Sequence, residues 1–398
     1  MIGRTLKKKL IEASKHYPVV TLTGPRQSGK TTLVRMAFPD YEYVSLEEPD
    51  QRTFALEDPR GFLSQFSDKV ILDEVQHTPD LFSYIQTIVD IKDISGQFVL
   101  TGSQNFLLLQ KVSQSLAGRC AILHLLPLSL SEIRQRHPLS IDSIGQRLPK
   151  KNRYLDEDLA TILLQGFYPR IHDKGLNPGD WLGNYYQTYI ERDVRDILSV
   201  GDLETFSRFV RLCAGRNGQL LNLSSLANDC GVTHTTSKRW ISILETSFIV
   251  FLLRPHFKNF SKRLIKSPKL YFLDTGLLSY LLKIRSADDL RIHAQYGSIF
   301  ESFVISELLK NYLNRGVEHP IYFWRDSTGN EIDILIDQRD KLIPLEIKAG
   351  QTINPDFFKG IRFWKKLATA SDQPAAVVYG GDRSQIRSGI HVVPWSVF

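Results

Sequence analysis

From Gly24 to Thr32 the sequence reads Gly-Pro-Arg-Gln-Ser-Gly-Lys-Thr-Thr. A loop bounded by glycines and ending in a lysine and two hydroxyls suits a polyphosphate. Gly24 and Gly29 permit a tight turn whose backbone N–H groups point inward at phosphate oxygens, with Pro25, Arg26, Gln27 and Ser28 forming its arc. A helix opening at Lys30 adds the positive end of its dipole. Lys30 then reaches the β- and γ-phosphates of ATP, the Thr31 hydroxyl ligates Mg2+, and Thr32 stands beside them.

A second element should complete such a site. Lys69-Val-Ile-Leu-Asp73-Glu74 is an apolar strand ending in acids. Asp73 can hold magnesium through water, and Glu74 can polarise the attacking water. A further apolar run, Phe98–Thr101, leads into Gly102-Ser103-Gln104. If it lies between the two motif strands, Ser103 or Gln104 can touch the γ-phosphate or orient the water. Arg119, in Ser115-Leu-Ala-Gly-Arg119, is placed to reach a neighbouring subunit's nucleotide and neutralise transition-state charge. A surface salt bridge is the competing reading of that arginine.

The C-terminal third carries another constellation. Glu331-Ile-Asp333-Ile-Leu-Ile and Ile343-Pro-Leu-Glu346-Ile-Lys348 alternate with the period of strands. Paired as a hairpin, they bring Asp333, Glu346 and Lys348 together. Two carboxylates can bind a divalent metal, and a lysine beside them can orient or deprotonate a water, an assembly suited to phosphodiester hydrolysis. Glu301, on the preceding helical segment, could complete the metal shell. Tyr322, Phe323 and Trp324 are candidates for stacking on bases, with a buried core strand as the alternative.

Between these sites, Leu223–Glu245 reads as helix, turn, helix. Ser224 is the expected cap of the first helix, Gly231 its end and Thr233 the start of the second. Trp240, Ile241 and Leu244 give the second helix an inward stripe. His234, Thr235, Ser237, Lys238 and Arg239 then form an exposed face for DNA. The run Phe248–Leu253 would begin a wing, and the basic stretch 258–269 could follow a phosphate backbone or be a solvated loop.

These groups need a scaffold. The runs Val19–Thr23, Tyr43–Leu46, Lys69–Asp73, Phe98–Thr101 and Ala121–Leu125 alternate with helical segments, predicting an α/β domain around a mainly parallel sheet. The N-terminal stretch 1–18 reads as an amphipathic helix with Leu6, Leu10, Ile11 and Ala13 toward the body. The chain of 398 residues has room for two or three domains at roughly 100–200 residues each. Apolar residues make up 42% and charged residues 23%, which excludes disorder and collagen-like architectures over most of its length. The net charge of +7 permits an anionic partner. Three scattered cysteines favour neither a disulfide framework nor a zinc module. No apolar run approaches the ~18 residues of a membrane span, and no apolar signal region follows the basic N-terminus. A cytoplasmic protein with no membrane partner is expected.

The order of the motifs in Gly24–Thr31, Val70–Glu74, Phe98–Ser103 and Ser115–Arg119 resembles the AAA+ ATPase superfamily. With GFYPR at 166–170 and YIERDV at 189–194, it is similar more narrowly to prokaryotic AAA-type ATPases fused to the domain of unknown function 4143. That resemblance implies an AAA+ P-loop core over 1–136, a helical lid over 137–203, a winged-helix-like module over 204–269 and a nuclease-like domain over 270–398. Arg170, Arg192 and Arg195 all remain open as a second sensor arginine. Asp333 and Glu346-Ile-Lys348 resemble the PD-(D/E)XK nuclease motif, with Glu301 as its helical acid. The expectation is a DNA-binding, Mg2+-dependent ATPase that remodels branched or recombination DNA, as a homo-oligomer or hexameric ring with Arg119 acting in trans. The alternative is an ATP-gated DNA- or protein-binding switch whose nuclease-like domain does not cleave. An ATP-dependent protein remodeller leaves the charge and the C-terminal acids without a role.

Overall fold

The computed structural model describes residues 2–66, 68–92, 94–103, 115–137, 144, 158–189, 203–256, 266–338, 341–369 and 373–398. The five N-terminal apolar runs form β1 (Val19–Thr23), β2 (Glu42–Ser45), β3 (Val70–Asp73), β4 (Phe98–Gly102) and β5 (Cys120–His124). They make one parallel sheet in the order β2-β3-β4-β1-β5. Every residue of β1, β3 and β4 is buried, as expected of central strands covered on both faces. The N-terminal helix Lys7–Ser14 lays Leu6, Leu10 and Ala13 on the sheet beside Val20, Leu22 and Leu123, with Ile11 at the margin. Because β4 separates β1 from β3, its end projects between the phosphate loop and Asp73, as the sequence suggested.

The middle of the chain is helical: Leu159–Gln165, Pro169–Lys174, Pro178–Tyr189, Leu203–Gly215, Leu223–Cys230 and His234–Thr246. β6 (Val250–Leu253) and β7 (Lys269–Phe272) follow as an antiparallel pair. Gly231 ends the helix Leu223–Cys230 in the left-handed region at φ +70°, and the Thr233 hydroxyl caps the next, both as expected. The first cap differs from expectation. The Asn222 side chain accepts the Ser225 N–H at 3.0 Å, and Ser224 lies inside the helix. β7 also crosses the expected division at 269/270. The helix after it, Thr275–Leu281, packs on Leu159–Gln165 and Pro178–Tyr189, so the helical middle extends beyond residue 270.

The C-terminal part opens with the long helix Tyr296–Leu313. It continues through β8 (Ile321–Arg325), β9 (Glu331–Gln338), β10 (Lys341–Lys348), the helix Lys359–Leu367, β11 (Ala376–Tyr379), β12 (Gln385–Arg387) and β13 (Ile390–Pro394). The sheet order is β12-β13-β11-β10-β9-β8. β8, β9 and β10 form an antiparallel meander, and β11 runs parallel to β10 and β13. One apolar core extends from Leu126 through the helical middle to Phe398, joining middle and C-terminal parts. Phe323 and Trp324 are fully buried, as the core-strand alternative has it, and Tyr322 is half-buried. Among the described residues, no helix is long and apolar enough to cross a membrane.

Candidate active site

The phosphate loop begins where β1 ends. Gly24 has φ +155°, and a Cβ there would sit 2.1 Å from the Leu125 carbonyl oxygen, so only glycine fits against the neighbouring strand. Gly29 has φ +91° and caps the helix Lys30–Ala37. Lys30 is buried, its ammonium donating to the carbonyls of Gly24 at 3.0 Å and Pro25 at 2.9 Å. The loop thus curls around the amine that the motif assigns to phosphate.

Asp73 gathers three hydroxyls. Thr31 Oγ1 and the Tyr43 hydroxyl each donate to Oδ2 at 2.8 Å, and Thr101 Oγ1 donates to Oδ1. The motif residues Thr31 and Asp73, 42 positions apart, are in direct contact. Burial, together with the Asp73 carboxylate, pushes the Tyr43 hydroxyl far up, so Tyr43 stays a neutral donor. Neither Tyr43 nor Thr101 was singled out from sequence. Their signal lay in strand adjacency: β2 and β4 flank β3, and Thr101 is the residue directly before Gly102.

Glu74 adopts φ +57°, a left-handed conformation uncommon for a residue with a side chain and one that recurs at functional sites. Ser103 Oγ donates to Glu74 Oε2 at 3.1 Å, and the Gln76 amide donates to the same oxygen. Burial pushes the Glu74 carboxyl up, but Lys30, Gln76, Arg26 and Ser103 outweigh it and hold the group below its usual value. Glu74 is therefore an ionised, oriented carboxylate, the form needed to accept a proton or polarise water. The structure brings Ser103 to it, whereas Gln104 lies outside the described residues.

These groups open onto a cleft of about 1110 Å³. Arg26, Gln27, Gly29, Lys30, Thr31, Thr32 and Glu74 line one side, and the segment Ile2–Thr5 lines another. Arg170 and Tyr189 of the helical middle also reach it. Arg192 and Arg195 lie outside the described residues. Arg119 sits before the first residue of β5, at the opposite end of the sheet from the loop. It pairs with Asp90, its NH2 group donating to Oδ2 at 3.0 Å.

The acids of the C-terminal sheet converge as the alternation implied. Leu345 pairs with Ile334 across β9 and β10, which sets Glu346 opposite Asp333. Asp333 Oδ2 accepts the Ile347 N–H at 2.8 Å and lies 3.3 Å from Lys348 Nζ, which also pairs with Glu346. Two further residues come from β7. Lys269 pairs with Glu331, and the Tyr271 hydroxyl donates to Glu301 Oε2 at 3.0 Å. Burial and the Asp333 charge push the Glu301 carboxyl up to about 7.

The expected metal shell of Glu301, Asp333 and Glu346 differs from this arrangement. Among the described residues, no three His, Cys, Asp or Glu side chains are grouped to hold a metal. Two ammonium groups and a phenol take the carboxylate oxygens instead, so the residues as arranged do not fit a divalent cation. The pairing of Lys269 with Glu331 and of Tyr271 with Glu301 escaped sequence reading because the partners lie 30 or more positions apart.

The proposed DNA-facing helix keeps His234, Thr235, Lys238 and Arg239 exposed. Ser237 is fully buried, because it falls one turn before Ile241 on the inward stripe and faces the core. The basic stretch from 258 lies largely outside the described residues, and its last member, Lys269, is buried.

Three family models match the chain: an AAA domain over residues 16–134, a domain of unknown function (DUF8612) over 156–288 and a domain of unknown function (DUF4143) over 296–398. An uncharacterised protein of Mycobacterium tuberculosis is 30% identical over 382 residues, covering 95% of this chain and 80% of the relative. An uncharacterised protein of Haemophilus influenzae is 22% identical over 359 residues, covering 83% of this chain and 82% of its own length. Among solved structures, a Walker-type ATPase of Pyrococcus abyssi, PABY2304, is similar with a TM-score of 0.41 and 16% identity, over 70% of this chain and 94% of that one.

Proposed function

The chain belongs to the family of P-loop ATPases that carry an AAA domain and a C-terminal DUF4143 domain, and on that premise we propose that it is a nucleotide-gated, DNA-directed ATPase. ATP binding and hydrolysis would change how its middle and C-terminal parts present a DNA-binding face. Lys30 and the loop amides hold the phosphates, and Glu74, oriented by Ser103 and Gln76, polarises the attacking water. The adjoining oxygens of Thr31 and Asp73 are hard donors that fit Mg2+. When bound, that ion would neutralise charge on the β- and γ-phosphates. Arg170 is the described arginine of the helical middle best placed to sense the nucleotide.

One observation carries the gating reading. The segment that follows the ATPase sheet is tied to the C-terminal part by one buried and two half-buried polar bonds. The Leu130 N–H donates to Glu307, and Arg134 and Arg136 donate to the Ser396 carbonyl at 2.9 and 2.7 Å. In this reading, these bonds are the route by which a change at the nucleotide would reach the C-terminal part. His234, Thr235, Lys238 and Arg239 offer the face for DNA. Arg119, far from its own loop, suits supply in trans to a neighbouring subunit once it leaves Asp90.

The test is DNA affinity in ATP, ADP and no nucleotide, with ATPase rates on single-stranded, duplex and four-way-junction DNA. Nucleotide-dependent affinity, weakened by Lys238→Ala/Arg239→Ala and steeply salt-sensitive, supports the reading. Equal affinity in all three states, with ATPase indifferent to every DNA, overturns it. Arg119→Ala should lower the rate without weakening ATP binding, and wild-type rate per subunit should rise with protein concentration.

A second reading, metal-dependent cleavage, is favoured by the convergence of Asp333, Glu346 and Lys348 on one sheet face. It requires β7 to withdraw Lys269 and Tyr271, and Lys348 to release the Asp333 and Glu346 oxygens. Cleavage with magnesium or manganese that Asp333→Ala abolishes, with ATPase retained, would establish it.

A further inference from the structure

Arg4, on the N-terminal segment that lines the cleft, reaches the phosphate loop. Its NH1 group donates to the Ser28 carbonyl at 2.6 Å, and its NH2 group donates to the Leu126 carbonyl at 2.6 Å. Its Nε lies 3.3 Å from Glu132 Oε2, with both side chains more than nine-tenths buried. Glu132 is itself fixed, accepting the Thr5 N–H at 2.7 Å and the Ser129 N–H at 2.9 Å. The helix beginning at Lys7 anchors the segment by burying Leu6, Leu10 and Ala13 on the sheet.

The Ser28 carbonyl and the Gly29 N–H belong to one planar peptide and point in opposite directions. Holding the Ser28 oxygen toward Arg4 turns the Gly29 N–H away from Arg4 and fixes its direction. Gly29, at φ +91°, can follow either orientation at low cost. Something outside the loop must therefore fix that peptide. A Cβ on Gly29 would find Arg4 NH1 at 3.7 Å, so the guanidinium lies directly against the loop at this residue.

We propose that Arg4 is a positioning residue of the nucleotide site: it sets the Ser28–Gly29 peptide so that the loop presents its amide to phosphate before ATP arrives. Glu132 orients Arg4 and ties that setting to the segment after β5. Although Arg4 lines the cleft, its guanidinium fork is taken by the Ser28 and Leu126 carbonyls, so its role runs through the loop. A lysine in its place supplies one direction of donation, not the planar fork that spans Ser28 and Leu126.

The experiment measures KM and kcat for ATP, and the Kd of ATP and ADP, in wild type, Arg4→Ala, Arg4→Lys and Glu132→Gln, with a thermal unfolding curve for each. Preorganisation predicts that Arg4→Ala raises KM and both Kd values at least tenfold, while kcat at saturating ATP changes less than threefold. Arg4→Lys should recover part of the affinity, and Glu132→Gln should shift it in the same direction by a smaller factor. A general structural role would instead lower melting temperature and kcat together and leave the affinity of the folded fraction unchanged. Either that pattern or Kd values within twofold of wild type overturns the proposal. If Arg4→Ala fails to fold, Glu132→Gln decides, and an unchanged Kd there overturns it equally.

Discussion

Glu307 Oε2 accepts the backbone N–H of Leu130 at 2.9 Å, across 177 positions of sequence. Leu130 opens the short helix Leu130–Ile133, so its N–H has no partner within that helix. The carboxylate that satisfies it comes from the long C-terminal helix, and Lys310 one turn later donates to Glu307 Oε1 at 2.9 Å. The Lys310 ammonium also lies 4.0 Å from the centre of the Phe167 ring. ATPase domain, helical middle and C-terminal helix meet at this one buried pair.

Breaking the pair from one side should therefore be costly. Glu307→Ala leaves the Lys310 charge and the Leu130 N–H without a partner, and a loss of about 3–5 kcal/mol is expected. The double variant Glu307→Leu/Lys310→Met should recover the part owed to the stranded charge, while the Leu130 N–H stays unpaired. Chemical denaturation of the three proteins checks this, and a single-variant cost under about 1 kcal/mol would show that the pair does not hold the parts together.

At the nucleotide, Glu74→Gln should retain ATP binding and lose about 10²–10⁴ of the hydrolysis rate, the range for an acid–base group. Ser103→Ala removes one hydrogen bond to that carboxylate, and a fall of about tenfold is expected. Because its surroundings hold Glu74 below its usual value, the carboxylate persists as pH falls, and the acidic limb of the rate profile should lie below the ordinary glutamate range. Ser103→Ala removes a stabilising contact and should move that limb upward. An acid limb unmoved by this change would detach Ser103 from Glu74.

Much of this site was legible in the sequence because its chemistry is local. Gly24–Thr31 and Val70–Glu74 are contiguous strings whose residue types state their own conformation, and the period-two alternation of Glu331–Ile336 and Ile343–Lys348 fixed which acids share a face. The partners of those acids were not legible. Tyr43 and Thr101 reach Asp73 only because β2 and β4 lie beside β3, and Arg4 reaches the loop only after β5 has brought Leu126 and Glu132 to it. Ser237 shows the opposite limit. Its polarity suggested an exposed face, but helical phase relative to Ile241 put it in the core.

His124 gives a pH dependence with a definite sign. Burial pushes its imidazole down to about 4, and its Nδ1 lies 2.8 Å from Thr23 Oγ1, next to Gly24. The unfolded chain takes up this proton near pH 6.5 and the folded chain does so near 4. Stability from the neutral imidazole is thus complete above about pH 6.5 and is lost as pH falls toward 4, by about 3 kcal/mol if the shift is fully expressed. His124→Phe should flatten the stability profile between pH 6.5 and 4. Identical slopes for the two proteins in urea titrations across that range would show that His124 is protonated in the folded state.

The β7 strand makes a final prediction about the C-terminal acids. Glu301, Glu331, Asp333 and Glu346 carry four carboxyl groups, and the cations among them are Lys269, Lys348 and Arg325. Lys269 is buried and comes from outside the sheet, and the neighbouring acids raise its affinity for a proton despite the opposing effect of burial. Its ammonium therefore supplies charge that a bound cation could otherwise provide. Lys269→Ala removes that charge and leaves Glu331 with Arg325, at 3.0 Å. Manganese affinity, read by electron paramagnetic resonance, should rise at least tenfold over wild type, and Asp333→Asn in the same background should abolish the gain. A Lys269→Ala protein that folds and binds manganese no better than wild type would mean that the lysine only ties β7 to β9. If wild type already binds manganese tightly through Asp333, β7 is not a cover, and the acid cluster is open to cations as it stands.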